Sequence, residues 1–242
     1  MKIVIAHLYY DLLNLYGESG NVKIIEKLLK DQNIKVETKL LSIHDKLEFN
    51  KYDFIYIGSG TTYNQNLALN HIIKYKKEIN EYIKNKGFIL ATGNAMELFG
   101  QYIEYINQTK QECLNIMPYK TKVENKRLVG ENLMLDKENN YILGFQNQET
   151  SIRNNKHPLF KVIKGIGDYE NSKYEGTKKN NFVATHLIGP FLIRNPLFTV
   201  KYLKLLIKTI DKDFKFKNFN VELESKATTE FIKNFYTDYY KK

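Results

Sequence analysis

FILATGNAMELFG, residues 88–100, is the stretch that decides the fold. The apolar run at 88–91 predicts a buried strand, Gly93 predicts a sharp turn, and a helix is expected from about Met96. This layout is typical of a nucleophile elbow, in which a strand turns abruptly into a helix and presents one side chain to an active site. A plain strand-to-helix turn is the alternative interpretation, and Gly93 suits it equally well.

Strand-like and helix-like segments alternate on the amino-terminal side of this stretch. The periodicity of apolar residues predicts strands at 2–8, 34–41 and 53–57, and helices at 21–32 and 66–85. Strand and helix in regular alternation indicate a parallel sheet with helices on both faces.

The carboxyl-terminal side has a different pattern. Short strands joined by polar turns are predicted at 116–122, 126–135 and 141–145, which indicates an antiparallel extension of the parallel sheet. A late strand at 182–187 and a strong helix at 197–210 follow.

No repeat or proline-rich linker divides the chain. We therefore assign residues 1–210 to one domain, and 211–242 to a carboxyl-terminal tail with a helix near 229–240 that packs on the same domain. No apolar run approaches the roughly 20 residues of a membrane span, so we expect a cytoplasmic protein that does not insert into a membrane.

The charge and the cysteine content exclude several classes of function. The net charge of +10 comes from scattered residues rather than from a basic block, so no nucleic-acid partner is predicted. Cys113 is the single cysteine, which excludes a disulfide within the chain and a zinc site of several cysteines. We expect no metal and no cofactor.

Three turns that contain glycine follow predicted strands, and they are Gly58-Ser59-Gly60, Gly93-Asn94-Ala95 and the segment 186–190. In open α/β sheets, ligands bind just beyond the carboxyl ends of the strands, so we predict that these turns form a site. The N–H groups of such a turn can approach an anion or an oxyanion. A dinucleotide-binding turn would need a further glycine where Tyr63 stands.

Six segments, in order along the chain, resemble motifs of the GatD-type, CobB/CobQ-like class I glutamine amidotransferases. They are DLLNLYGESGN (11–21), IGSG (57–60), TGNAMELFG (92–100), NKRLVG (125–130), GFQN (144–147) and ATHLIGPFL (184–192). In that family the third segment usually contains Cys-Gly-Gly-Tyr-Gln-Leu-Leu-Gly, and the last resembles Thr-Tyr-Leu-His-Gly-Pro. The resemblance implies a three-layer α/β/α, flavodoxin-like fold across nearly the whole chain.

The two catalytic positions of the family pattern are altered. Members of the family use the cysteine to attack the side-chain amide of glutamine, with the histidine as general base. Gly93 and Ile188 stand at those two positions. His186 lies on the same side of an extended segment as Ile188 and could approach the pocket, but it has no nucleophile to activate. We interpret Cys113 as a small semi-buried residue and expect no glutaminase activity.

Of the family pattern, this chain retains Arg127 and the glycine turn at 58–60. The resemblance implies that Arg127 holds the glutamine substrate, which suits an arginine because its guanidinium forks onto carboxylates. A surface arginine paired with an acid is the alternative. The substrate-binding residues that we predict are Arg127, Gly58, Ser59, Gly60, Asn94 and His186.

The resemblance also implies a partner, a Mur-ligase-like subunit called MurT, and a role in amidating the peptidoglycan precursor lipid II. Our first hypothesis is a pseudo-glutaminase that forms a heterodimer with such a subunit and serves assembly or regulation. One alternative is a stand-alone sensor that binds glutamine or a related amino acid through Arg127 and the turn at 58–60. Another is an active glutaminase that uses unrecognised groups.

Overall fold

One mixed sheet of eleven strands runs through residues 1–239, which are the residues that the computed structural model describes. The strands are β1 (Lys2–Leu8), β2 (Lys35–Leu41), β3 (Phe54–Ile57), β4 (Phe88–Thr92), β5 (Tyr102–Glu104), β6 (Lys110–Glu112), β7 (Lys120–Leu135), β8 (Tyr141–Arg153), β9 (Pro158–Lys164), β10 (Tyr174–Lys179) and β11 (Phe182–Thr185). The α-helices are α1 (Ser19–Asp31), α2 (Thr62–Ile72), α3 (Lys76–Lys84), α4 (Phe191–Arg194), α5 (Pro196–Ile210) and α6 (Glu222–Phe235). The strand order is β2-β1-β3-β4-β11-β10-β9-β7-β5-β6, and β8 pairs with β7 beside this path.

The five strands β2, β1, β3, β4 and β11 lie parallel to one another. β3 and β4 are buried along their whole length, as expected of central strands that are covered on both faces. Ile57 pairs with Ala91, and Thr92 pairs with Thr185. The carboxyl ends of β3, β4 and β11 therefore meet at one edge, where the three predicted turns follow them.

Helices cover both faces of this parallel half. α1 and α5 pack on the face that presents Ile5, Phe54 and Leu90. α2 and α3 pack on the opposite face, which presents Ile55 and Ile89. Because side chains alternate along a strand, each strand supplies residues to both cores. The result is the predicted three-layer α/β/α arrangement with a mostly parallel sheet.

The antiparallel extension is confirmed, but its strands differ from the predicted ones. The two strands predicted at 116–122 and 126–135 are the single long strand β7, whose register with β8 shifts between Val123 and Leu128. Residues 116–119 lie outside it. β9 and β10, which we did not predict, join β7 to β11 by antiparallel pairing.

Two helix predictions are corrected by the structure. The helix predicted at 66–85 is divided into α2 and α3 by a 3₁₀ turn at Ile73–Tyr75. The helix expected from Met96 is instead a 3₁₀ segment, Gly93–Phe99. Its last carbonyls accept bonds from a distant segment: Leu114 N–H donates to Leu98 O, and Met117 N–H donates to Phe99 O.

The tail from residue 211 packs along the domain as far as it is described. The side chain of Gln32 both donates to the carbonyl of Lys217 and accepts from its N–H. The predicted helix at 229–240 is α6, which begins and ends earlier; residue 240 lies outside the described part of the chain. Glu222 and Glu224 favour the earlier start because acidic groups interact well with a helix N-terminus. Within residues 1–239, none of the helices is both long enough and apolar enough to span a membrane.

Candidate functional site

A cavity of about 360 Å³ opens where β3, β4 and β11 end. The turns after these three strands line it, together with β7, β8 and the segment near Leu15. Of the residues predicted from the sequence, the cavity is lined by Ser59, Gly60, Gly93, Asn94, Arg127, His186 and Ile188.

Gly58 is the exception among the predicted residues, because it faces the protein interior. A Cβ atom on Gly58 would lie 2.7 Å from Cβ of Glu18 and still closer to the carbonyl oxygen of Leu13. Glycine is therefore required at this position by close packing of the amino-terminal loop. The structure gives Gly58 a packing role and leaves the cavity wall to Ser59 and Gly60.

Gly93 has the backbone conformation of an elbow but no space for a side chain. Its φ of +59° is left-handed, as at a strained strand-to-helix turn. A Cβ atom on Gly93 would lie 2.5 Å from Cβ of Ser59, closer still to the Ser59 hydroxyl, and 2.8 Å from Cγ2 of Ile188. Ser59 and Ile188 thus fill the space that a nucleophile's side chain would need.

The side chain of Asn94 forms hydrogen bonds with the glycine turn at 58–60 and accepts from the backbone N–H of Gly60. Its Oδ1 accepts from the N–H of Gly60 at 3.0 Å and from the Ser59 hydroxyl at 3.1 Å. Its Nδ2 donates to the carbonyl of Gly60 at 2.9 Å. An oxyanion site needs free, preorganised donors, and the Gly60 donor is already used within the protein.

His186 and Glu97 form the buried floor of the cavity. The His186 Nε2 lies 3.6 Å from Oε1 of Glu97, and both side chains are at least 97% buried. Glu97 also accepts from Nε2 of Gln65 at 2.8 Å and from the hydroxyl of Thr150 at 2.6 Å. Sequence reasoning missed Glu97, although a single charged residue inside an otherwise uncharged stretch was a usable signal.

Two further carboxyl groups lie behind His186. Glu175 accepts a hydrogen bond from the backbone N–H of His186 at 2.7 Å and another from the Thr185 hydroxyl at 2.7 Å. Burial, and then the charge of Glu175, raise the pKa of Asp168 to about 7. Burial also raises the pKa of Glu175. Burial alone would lower the pKa of His186, but Glu97, Glu175 and Asp168 together raise it.

Arg127 stands at the mouth of the cavity, where half of its side chain is exposed. Its Nε donates to Oδ1 of Asn147 at 2.6 Å, and its Nη1 lies 3.3 Å from a carboxylate oxygen of Glu149. Arg127 therefore fits both of its predicted roles. It lines the cavity, as a substrate-binding residue would, and it pairs with an acid, as a surface arginine would.

Glu18 and Asn21 hold the turns of the site together, and sequence reasoning did not identify these roles. Glu18 accepts from the hydroxyls of Tyr56 and Thr92 at 2.5 and 2.6 Å, and from the N–H of Gly189 at 3.2 Å. Asn21 donates to the Tyr56 hydroxyl at 2.8 Å. Both residues lie in the segment 11–21 that resembles a family motif, and this was the available signal.

Cys113 does not belong to the cavity lining. It is buried, and burial raises the pKa of its thiol to about 12, so the thiolate needed for nucleophilic attack is disfavoured. Within residues 1–239, no cluster of histidine, cysteine, aspartate or glutamate side chains is arranged to hold a metal ion.

Comparison with known proteins identifies the class to which this fold and site belong. The CobB/CobQ-like glutamine amidotransferase domain matches residues 4–196, so the chain belongs to that family, as its motifs predicted. PurLQS from Thermotoga maritima shares the fold, with a TM-score of 0.57 at 11% identity over 87% of this chain and 100% of that chain.

Two relatives narrow the comparison within the family. Each is subunit GatD of lipid II isoglutaminyl synthase (glutamine-hydrolyzing). The Streptococcus pneumoniae (strain ATCC BAA-255 / R6) protein is 29% identical over 198 residues, which cover 80% of this chain and 76% of the relative. The Staphylococcus aureus (strain N315) protein is 27% identical over 226 residues, which cover 93% of both chains.

Proposed function

We propose that this chain is a non-catalytic, GatD-like subunit of a lipid II isoglutaminyl synthase-type complex. In this proposal it pairs with a MurT-like Mur ligase subunit and serves assembly or regulation. The complex would amidate the peptidoglycan precursor with ammonia that this subunit does not release from glutamine.

The observation that carries the proposal is the filled space at Gly93. Glutamine hydrolysis by this family's route needs a nucleophile, a general base and oxyanion donors. At this site Ser59 and Ile188 occupy the nucleophile's space, Ile188 also stands at the general base's position, and Asn94 uses the N–H of Gly60. Three separate requirements fail together, so a single substitution does not restore the chemistry.

The retained framework supports a role that depends on the shape of the subunit. Glu18 still joins the ends of β3 and β4 to the turn at Gly189 through buried hydrogen bonds. The matched relatives are subunits by name, and the alignment with the Staphylococcus aureus relative extends over 93% of both chains. Such a framework maintains the shape of the subunit without any contribution from catalytic groups.

Co-purification with a Mur-ligase-like subunit from the same organism tests the proposal. We expect a stable complex on size-exclusion chromatography with light scattering. We also expect lipid II amidation by the complex with ATP and ammonium, but not with glutamine as the nitrogen source. The Streptococcus pneumoniae GatD subunit with its own ligase serves as the control for glutamine-driven amidation. Failure to form any complex, or amidation driven by glutamine, contradicts the proposal.

The persistence of the cavity favours a second candidate function, a sensor that binds an amino acid. A cavity of about 360 Å³ with Arg127 at its mouth has room and charge for a small zwitterion. Binding without hydrolysis, measured on the chain in the absence of a partner, distinguishes a sensor from a purely structural subunit.

A further inference from the structure

The floor of the cavity contains more carboxyl groups than cationic groups. Glu97 lines the cavity, and Glu175 and Asp168 lie behind it. His186 faces all three of them, and together they raise its pKa against the effect of burial. Burial raises the pKa of Glu175 and of Asp168, so these two groups keep their protons more readily, and Glu97 is the one of the three carboxyl groups that lines the cavity.

The other titratable groups near this cluster do not supply a cation. Tyr105 lines the cavity, and Tyr119 and Cys113 lie near Glu97. Burial raises the pKa of all three groups. They are therefore neutral near pH 7 and leave the charge of the floor unchanged. Arg127 is at the exposed mouth, where Glu149 pairs with it.

Two buried side chains that line the cavity have polar atoms without a partner. Gln148 is 7% exposed, and its Oε1 accepts no hydrogen bond. His186 is 1% exposed, and neither ring nitrogen makes a hydrogen bond, although its Nε2 lies 3.6 Å from Oε1 of Glu97. Buried polar atoms are normally satisfied by protein, water or a ligand. Gln148 Oε1 can only accept a hydrogen bond, so the missing partner on that side is a donor.

We propose that the cavity binds a small primary amine whose ammonium group points toward Glu97 and Gln148, in preference to the neutral side-chain amide of glutamine. The ligand class is a basic amino acid such as lysine or ornithine. This inference rests on the proposed function in one respect, since a cavity without a nucleophile holds its ligand without cleaving it.

The acceptors on the floor match an ammonium group better than an amide. An ammonium group has three hydrogen-bond donors and a positive charge, whereas the side-chain amide of glutamine has two donors and no charge. Glu97 accepts two hydrogen bonds, and a carboxylate has about four acceptor positions, so it can accept another. Arg127, which also lines the cavity, suits the ligand's carboxylate.

Thermal shift and calorimetric titration of the full chain test the inference. The ligands are L-lysine, L-ornithine, L-glutamine and L-norleucine, all at the same pH and ionic strength. Norleucine is the matched control because it has the lysine carbon chain without the terminal amine. We expect lysine or ornithine to bind at least tenfold more tightly than glutamine and norleucine. Equal affinity for lysine and norleucine, or tighter binding of glutamine, overturns the inference.

A matched pair of variants tests the role of Glu97. Glu97→Gln keeps the shape of the side chain and removes the charge, so we expect the preference for lysine over glutamine to fall at least tenfold. Glu78→Gln makes the same change on the exposed surface of α3, outside the cavity lining, and should leave that preference within about twofold. Circular dichroism and thermal melts establish that both variants fold. An unchanged preference in Glu97→Gln also overturns the inference.

Failure of this inference is distinguishable from failure of the proposed function. If no amine binds while the chain still pairs with its ligase subunit and releases no ammonia, only the ligand assignment is wrong. If glutamine is hydrolysed, the proposed function is wrong whatever the amine titrations give.

Discussion

The side chain of Ser59 stands where a side chain of residue 93 would begin. A Cβ atom on Gly93 would lie 2.5 Å from Cβ of Ser59, and Ile188 closes the other side at 2.8 Å. Packed protein interiors do not tolerate heavy atoms at such distances without rearrangement. The site therefore lacks a nucleophile for two reasons: residue 93 is glycine, and Ser59 and Ile188 leave no space for a side chain there.

Gly93→Cys alone should destabilise the protein without creating a glutaminase. Overpacking typically costs about 1–3 kcal/mol, and the left-handed backbone of Gly93 adds strain. Urea denaturation measures the loss of stability, and an ammonia assay measures activity.

The double variant Gly93→Cys with Ser59→Gly is the control for the steric argument. It removes the closest contact and should recover part of the lost stability, while Ile188 still supplies no base. A single Gly93→Cys variant as stable as the wild type would show that the space is not filled.

Asn94→Gly should free the N–H of Gly60. The Asn94 side chain accepts from this N–H and donates to the Gly60 carbonyl, so its removal leaves the turn without both bonds. We expect faster amide hydrogen exchange at Gly60 and a loss of stability of about 1–2 kcal/mol. Asn94→Asp keeps the acceptor and should keep most of the Gly60 protection. Unchanged exchange in Asn94→Gly would contradict the assignment.

Glu18→Ala should destabilise the turns that line the cavity. Glu18 accepts hydrogen bonds from three donors, the hydroxyls of Tyr56 and Thr92 and the N–H of Gly189. Each buried donor left without an acceptor costs about 1–3 kcal/mol, so a large fall in the free energy of unfolding is expected. Glu81→Ala, an exposed change on α3, should alter stability by less than about 0.5 kcal/mol. Similar stabilities for the two variants would show that the Glu18 network does not hold the site.

Stability should fall as pH rises above about 6.5. The unfolded chain releases the proton of Asp168 near pH 3.8 and the folded chain near 7, so the contribution of Asp168 to stability declines between these values and only the end of its decline lies above 6.5. The raised pKa of His186 extends the decline above 6.5. His7 and His71 have lowered pKa values and act in the opposite direction, but their contribution is complete once pH passes 6.5. Melting temperatures at constant ionic strength measure the decline.

Glu175→Gln should flatten this pH dependence. The variant can still accept from the N–H of His186, and its amide can donate to the hydroxyl of Thr185. Removal of the Glu175 charge lowers the pKa of Asp168 and of His186, since that charge raises both. A decline as steep as in the wild type would show that this cluster does not govern the pH dependence.

The sequence predicted the strongly periodic elements well. The strand predicted at 2–8 is β1, and the helix predicted at 197–210 differs from α5 by one residue. The helix expected from Met96 does not form, because its last carbonyls bind residues 114–117, which no local pattern reveals. β9 and β10 were missed because their charged residues obscure the alternation that predicts a strand.

The position of the site could also be predicted, since it lies at strand ends that glycine turns mark. The packing inside it could not. Whether Gly93 has room for a side chain depends on Ser59 and Ile188, and three strands must be aligned before these residues meet. The role of Glu18 likewise depends on contacts with residues 38, 74 and 171 positions away.

Ammonia release from L-glutamine, by the purified chain alone and in complex with its ligase subunit, tests the central claim most directly. The Streptococcus pneumoniae GatD subunit with its own ligase is the positive control. The filled space at Gly93 predicts a rate no greater than that of glutamine in buffer, in both states. Ammonia release above that background, abolished by substitution of Ser59, His186 or Cys113, would contradict the claim.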